Sequence, residues 1–420
     1  MNLKLSHNPE LKNVHLILSG SKSETNRLLL LQALFPEISI ENSSEAEDSV
    51  LMKKALESTQ NTIDIHHSGT AMRFLTAYFS IQKNREVILT GSNRMKERPI
   101  GILVEALREL GAHIDYLEKE GFPPLKIKGS ELTKNKISIP ADVSSQYISA
   151  LMLIAPKLPN GLEITLEGNI TSQPYIEMTL ALLNILPQPL QKRGVLLEKD
   201  SQKVIKIYPL EVPPLGVRGL VESDWSSASY FYSIIALSEV GTEITLSSFK
   251  ENSLQGDKIL VEIYKDFGVE TTFNKNSSIT LSKSKILNPK SKILNLKSSP
   301  DLAQTIAVTC FGLGIGCQLT GLHTLKIKET DRLVALKNEI EKLGGKVEIT
   351  ADSLILEPNP TPVWEDREGL STYQDHRMAM AFAPLALKTD LIIKEAEVVS
   401  KSYPKFWEDL KKLGFRISEI

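Results

Sequence analysis

Six apolar stretches along this chain each open on a small polar cluster. The openings are Ser21-Lys22-Ser23, Ser68-Gly69-Thr70, Ser144-Ser145-Gln146, Ser226-Ser227, Asp301 and Asp375-His376-Arg377. A polar cap followed by an apolar run marks the start of a buried helix. The free N–H groups and positive dipole end of such a start favour phosphate or carboxylate. A chain that repeats this device, with Lys or Arg beside several copies, is suited to hold a strongly anionic small molecule.

The copies are regularly spaced. Asp142 to Asp224 is 82 residues, Asp224 to Asp301 is 77 and Asp301 to Asp375 is 74. Solenoid units run roughly 20–50 residues, so these intervals predict a larger compact unit. A second helix is visible in each. Leu107 to Leu110, Tyr264 to Phe267, Glu341 to Leu343 and Lys411 to Leu413 are followed by Gly111, Gly268, Gly344 and Gly414. Glycine there takes a left-handed cap at little cost, and the alternation after it reads as a strand. The unit is therefore strand, helix, strand, helix, strand, strand. At 420 residues the chain is too long for one ordinary core. Three units per domain give two α/β domains. The first helices, apolar nearly all round (Leu28 to Leu34, Ile148 to Leu158), should be buried, and the second helices, such as Leu333 to Leu343, should cover the outside. The Lys/Ser/Asn-rich stretch Asn274 to Ser299 reads as an exposed hairpin.

Lys and Arg total 49 against 51 Asp and Glu, which argues against broad nucleic-acid or membrane binding and makes any basic site local. The two cysteines, Cys310 and Cys317, lie in an apolar run and read as buried small residues rather than a disulfide or nucleophile. Met1 to Lys4 starts no apolar signal segment, and no stretch of about 18 uncharged apolar residues could span a bilayer. A cytoplasmic enzyme is expected. His66 and His67 would face opposite ways on a strand, and no Cys/His spacing supports zinc, so no metal site is expected. Gly312-Leu313-Gly314-Ile315-Gly316 lies in an apolar helical run without a correctly placed strand before it; close helix packing explains it better than a dinucleotide site. Gly20-Ser21-Lys22-Ser23 lacks the glycine spacing of a P-loop.

Charged motifs sit at element ends. Lys328-Glu329-Thr330-Asp331-Arg332 precedes a helix, with Asp331 or Thr330 as its cap and Glu329 and Arg332 spaced to share a face. Arg94, Lys96 and Arg98 crowd three cations into five residues, an arrangement that repels itself unless an anion sits among them. Lys22 and Arg27 bracket one helix start, Arg377 opens another and Lys401 precedes the last helix. Arg in particular suits bidentate recognition of carboxylate and phosphate.

Together GSKSETNR (20–27), SGTAMR (68–73), LTGSNRMKERPIG (89–101), VSSQ (143–146), SSAS (226–229), IKETDR (327–332) and DHRMAM (375–380) resemble the 3-phosphoshikimate 1-carboxyvinyltransferase (EPSP synthase) family, over nearly the whole chain. The resemblance implies an α/β fold of two domains, each of three βαβαββ repeats (an inside-out α/β barrel). Residues 1–18 with 222–420 would form one domain and 19–221 the other, with ligands in the cleft between them and domain closure excluding water. The implied reaction moves the enolpyruvyl group of phosphoenolpyruvate to the 5-hydroxyl of shikimate 3-phosphate and releases phosphate, without a cofactor, in a monomer. By motif match Lys22, Ser23, Arg27, Ser144, Ser145, Gln146, Ser172, Tyr175, Asp301 and Lys328 would hold shikimate 3-phosphate. Lys22, Gly69, Arg98, Gln146, Glu329, Arg332, Arg377 and Lys401 would hold phosphoenolpyruvate. Asp301 and Glu329 would transfer protons, with Lys22 as a candidate acid and His376 assisting. Residue types alone leave the protonation of the carboxylates open, since cations lower their pKa and burial raises it.

The chain departs from the family pattern at His67-Ser68, Phe74 and Thr324, where Asn-Ala, Pro and Asn are common. Gly69 leaves the room that implies inhibition by glyphosate in competition with phosphoenolpyruvate. The nearest rival is the UDP-N-acetylglucosamine enolpyruvyl transferase, which normally carries a loop Cys in the domain matching the middle of this chain; both cysteines here lie elsewhere. A non-catalytic anion-binding scaffold would be expected to lack Asp301, Glu329 or Lys22, and all three are present.

Overall fold

The structure, a computed structural model, describes residues 1–420 apart from 7, 9, 143, 187–193, 200–201, 211–215, 287–290 and 361–368. Val143 of the VSSQ motif and part of the stretch 274–299 thus lie outside the described residues. The chain forms two compact units, Met1–Ser19 with Glu222–Ile420, and Gly20–Val221.

One topology recurs within both. In the second unit, strand Thr62–Asp64 runs parallel to Glu86–Thr90, which pairs antiparallel with Leu125–Lys128, which pairs antiparallel with His113–Tyr116. Lys136–Pro140, Leu162–Glu167, Gln202–Ile207 and Gly194–Lys199 repeat this order. In the first unit, so do Val14–Leu16, Glu243–Ser247, Ser278–Lys283 and Val269–Phe273. Lys292–Asn295, Cys317–Thr320, Leu354–Leu356 and Val347–Ile349 follow the same order again. The stretch 274–299 therefore contributes two strands to two sheets, and only its turn after Phe273 belongs to a hairpin. A fifth copy is closed by the N-terminal strand Leu3–Ser6, which lies antiparallel between Leu391–Ile393 and Arg416–Glu419, with Leu370 bridged in parallel to Ile393. In the second unit, Arg218–Leu220 runs parallel to Ser39–Glu41.

The first helix of each repeat is the buried one. Lys22–Leu34, Gly69–Ser80 and Ser145–Ile154 pack against one another in one unit; Trp225–Leu237, Ala303–Gly312 and His376–Phe382 do so in the other. Each trio forms the centre of its own apolar core. Small hydroxyls join neighbours inside it, as where Thr309 donates to Ser233 at 2.8 Å. The second helices are half-exposed: Arg332–Lys342 buries Leu333, Leu336 and Ile340 on one face. Gly111 and Gly414 end their helices in the left-handed conformation, at φ 109° and 111°. Gly312 packs as expected, because a Cβ there would meet Leu237 and Leu385 within 2.8 Å. Gly314, at φ 72°, instead turns the chain from helix to strand.

The two passages between units are anchored on the first one. Ser223 Oγ donates to Leu18 O at 2.8 Å, and the buried Glu222 carboxylate accepts from Trp225 Nε1, Lys250 N and Ser253 Oγ.

Candidate active site

Five of the six polar openings cap their helix with a side chain. Ser21 accepts from Glu24 N, Ser68 from Ala71 N, Ser144 from Gln146 N, Asp224 from Ser227 N and Asp375 from Arg377 N. Asp301 does not cap. It lies in the 3-10 turn Pro300–Leu302, and its carboxylate turns to cations instead. In the first unit the capping groups are carboxylates, so an anion there meets Lys and Arg side chains rather than bare helix ends.

In the second unit three helix starts converge. Gln146 Nε2 donates to Thr70 Oγ1 at 3.1 Å. Lys22 pairs with the buried Asp48 at 3.1 Å. Arg27 is 2% exposed and engaged throughout: Nε with Thr179 Oγ1, Nη1 with Ser23 O, and Nη2 with Ser149 Oγ and Tyr175 O. Burial pulls its pKa down to about 10, against the opposing influence of Tyr175 and Glu24, so it stays charged at neutral pH. The resemblance implies a substrate ligand at Arg27, and the same guanidinium also holds Ser23 and Tyr175 through their backbone oxygens. Its guanidinium also lies 5.5 Å from the Phe74 ring centre, which gives this departure from the family pattern a packing role. Ser172 stands at φ 55° just before helix Gln173–Leu183, and Ser145 is buried.

The cationic run 94–98 divides. Arg94 pairs with Glu97 and Lys96 with Glu118. Arg98 turns inward, and its guanidinium covers Gly69 so closely that a Cβ there would lie 2.5 Å from Nη1. Its buried Nε has no hydrogen-bond partner. A buried guanidinium over a helix start has the charge and donors to hold an anion. Arg73 supports the loop beneath, donating to Gly69 O and Pro99 O. His66 and His67 are not on a strand; they occupy the turn before this helix, with His66 at φ 47° and His67 Nδ1 2.7 Å from Ser92 Oγ. Thr324, another departure, is buried with its hydroxyl unpartnered.

In the first unit everything meets at Arg332, one of the largest fully buried side chains among the described residues. Nε lies 2.6 Å from Asp375 Oδ2, Nη1 2.8 Å from Asp301 Oδ1 and Nη2 2.8 Å from Glu329 Oε2. Lys401 takes the other Glu329 oxygen at 2.8 Å, Lys328 reaches Asp301 Oδ1 at 3.4 Å, and Arg377 reaches Asp301 Oδ2 at 3.4 Å. Asp331 caps the helix through Leu333 N and Val334 N. The Glu329–Arg332 pair foreseen from spacing joins a buried guanidinium to a half-buried carboxylate, and Arg332, implied as a phosphoenolpyruvate ligand, also holds Asp301 and Asp375. His376 Nδ1 is 3.7 Å from Asp375 Oδ1.

The network decides a protonation state. Burial raises the pKa of Asp301 and Glu329 pushes the same way, but Lys328, Arg377 and Arg332 outweigh both and hold it well below the carboxylate range. Burial likewise opposes the charge of Arg332, and Asp375, Glu329 and Asp301 overcome it. The cations around Asp301 keep it in the form that can accept a proton but weaken it as a base, so it takes a hydroxyl proton only as the hydroxyl oxygen bonds to carbon. Sequence reasoning missed Asp48 and the Thr179–Ser149 support of Arg27, because each comes from a distant element with no motif. Among the described residues no group of His, Cys, Asp and Glu could hold a metal ion, and no helix is long and apolar enough to cross a membrane. Cys310 and Cys317 are free and buried.

Repeated βαβαββ units with converging helix starts and a carboxylate–guanidinium centre define the enolpyruvyl transferase class of fold. The chain is similar in structure to an EPSP synthase from Acinetobacter baumannii, at a TM-score of 0.75 and 21% identity over the whole of both chains. It is similar also to the enolpyruvyl transferase NikO from Streptomyces tendae, at 0.72 and 14% identity, covering 99% of this chain and 98% of that one. Within that class the sequence is more specific. The family model for EPSP synthase (3-phosphoshikimate 1-carboxyvinyltransferase) matches residues 28–410. The 3-phosphoshikimate 1-carboxyvinyltransferase of Bacteroides fragilis is 45% identical over 408 residues, 95% of each chain, and that of Mannheimia haemolytica is 33% identical over 95% of this chain and 96% of its own. The chain belongs to the EPSP synthase family.

Proposed function

We propose that the protein transfers the enolpyruvyl group of phosphoenolpyruvate to the 5-hydroxyl of shikimate 3-phosphate, releasing phosphate through a tetrahedral intermediate. The observation that carries this reading is the ionised Asp301 held between Lys328, Arg377 and Arg332. Both substrates carry phosphate and carboxylate, and only converging cations and helix ends can desolvate such groups together.

Lys22, Ser23, Arg27, Ser144, Ser145, Gln146, Ser172, Tyr175, Asp301 and Lys328 hold shikimate 3-phosphate. Arg98, over Gly69, with Lys22, Gln146, Glu329, Arg332, Arg377 and Lys401, holds phosphoenolpyruvate. Asp301 takes the 5-hydroxyl proton as the oxygen attacks C2 of the donor. Glu329 accepts from Lys401 Nζ and relays a proton from that ammonium to the methylene carbon, which becomes a methyl group. Collapse of the ketal returns a methyl proton to Glu329 and Lys401, regenerating the double bond on the new ether, and phosphate leaves with the proton that Asp301 took. No cofactor enters, and a cytoplasmic monomer suffices.

The protonated intermediate supplies the test. Turnover in deuterium oxide should place deuterium in the vinyl group of the product, because the methyl group mixes solvent and original hydrogens. Product formed with no deuterium would overturn the tetrahedral route.

A further inference from the structure

Helix Trp225–Leu237 starts beside a carboxylate to which the reaction above gives no role. Asp257, in the 3-10 turn Gly256–Ile259, is 4% exposed. Ser226 Oγ donates a short hydrogen bond to Asp257 Oδ2, and Arg377 Nη2 lies 3.4 Å from the same hydroxyl oxygen. A hydroxyl has one proton. With that proton on Asp257, the Ser226 oxygen faces Arg377 as an acceptor. Arg377 completes the chain through Nη1 to Asp301 O at 3.2 Å and Nη2 to Asp301 Oδ2.

The arrangement costs energy. Asp257 Oδ1 is buried with no hydrogen-bond partner, a rare state for a carboxylate oxygen. Arg377 attracts its charge, while Asp301 and Asp224 repel it; burial dominates and raises its pKa to about 6, against Arg377 and Ser226. A packing role alone would be met better by a neutral side chain.

We propose that Asp257 is a positioning residue, which through Ser226 aims the Arg377 guanidinium at the anionic donor. This rests on the reading of Arg377 as a phosphoenolpyruvate ligand. The test is steady-state kinetics of the full chain, the Asp257→Leu and Ser226→Ala variants and the double variant, with Tm at neutral pH. Leucine has the shape of aspartate but no acceptor for Ser226, and loss of a hydrogen bond to a charged group predicts a rise of roughly tenfold in KM for phosphoenolpyruvate in each single variant. KM for shikimate 3-phosphate should stay within about twofold, and the double variant should be no worse than the weaker single one, since both cut the same chain. Tm of Asp257→Leu should not fall. An unchanged KM for phosphoenolpyruvate in Asp257→Leu would overturn the inference, as would equal rises in both KM values with a lowered Tm. Absence of turnover in the unsubstituted protein would instead overturn the reaction itself, and the inference with it.

Discussion

Arg332 Nε lies 2.6 Å from Asp375 Oδ2, and the other oxygen of the same carboxylate accepts from Arg377 N at 2.9 Å. One buried carboxylate thus fixes both the guanidinium that holds Asp301 and Glu329 and the first turn of the helix that carries Arg377. Removing one partner of a buried pair leaves an uncompensated charge, so Asp375→Ala should lower stability by about 3–5 kcal/mol. Urea unfolding measures this. Asp375→Asn, which keeps an acceptor for the cap, should lose less.

Asp301→Asn removes the proposed base without changing its shape. Loss of general-base catalysis should lower kcat by roughly 10²–10⁴ and leave both KM values within a few-fold. Because Lys328, Arg377 and Arg332 keep Asp301 ionised against its burial, kcat should show no limb from this residue between about pH 5 and 8. A limb near pH 6 that vanishes in Asp301→Asn would contradict the assignment.

Gly69→Ala would put a methyl group 2.5 Å from Arg98 Nη1. The far end of a flexible side chain can move, so the fold should survive with Tm nearly unchanged. The displaced guanidinium should raise KM for phosphoenolpyruvate roughly tenfold, the effect of losing a charge-assisted contact. Glyphosate, expected to compete with phosphoenolpyruvate in the unsubstituted protein, should inhibit the variant less. Unchanged kinetics with both compounds would show that Arg98 does not reach the donor.

Asp257 also makes a stability prediction. Its pKa rises on folding from 3.8 to about 6, chiefly through burial. Between those values the folded chain binds the proton and the unfolded chain does not, so this group's contribution to stability falls as pH rises from about 4 to about 6. At 1.4 kcal/mol for each pH unit the loss is at most about 3 kcal/mol. Asp257→Asn should lack this fall, which denaturant melts at pH 4 and pH 7 would compare.

Much of this was legible because it is local. The caps Ser21, Ser68, Ser144, Asp224 and Asp375 precede apolar runs, and Gly111 and Gly414 follow the helices they end. The Glu329–Arg332 pair followed from spacing of three residues. What stayed hidden is set by distant elements. Nothing near Arg98 distinguishes it from Arg94 and Lys96 until Glu97 and Glu118 claim the other two. Arg27 and Arg332 carry the residue type of a ligand, and their buried partners, Thr179 with Ser149 and Asp375, come from distant elements that no motif near them announces. Asp257 belongs to no charged motif, and its link to Arg377 passes through a serine from a different helix.

The most direct measurement of the central claim is phosphate release by the purified protein from phosphoenolpyruvate with shikimate 3-phosphate as acceptor, and with UDP-N-acetylglucosamine in parallel. The account predicts release with shikimate 3-phosphate alone, abolished in Glu329→Gln. Release with the sugar nucleotide instead, or with neither acceptor from a folded protein that still binds shikimate 3-phosphate, would contradict it.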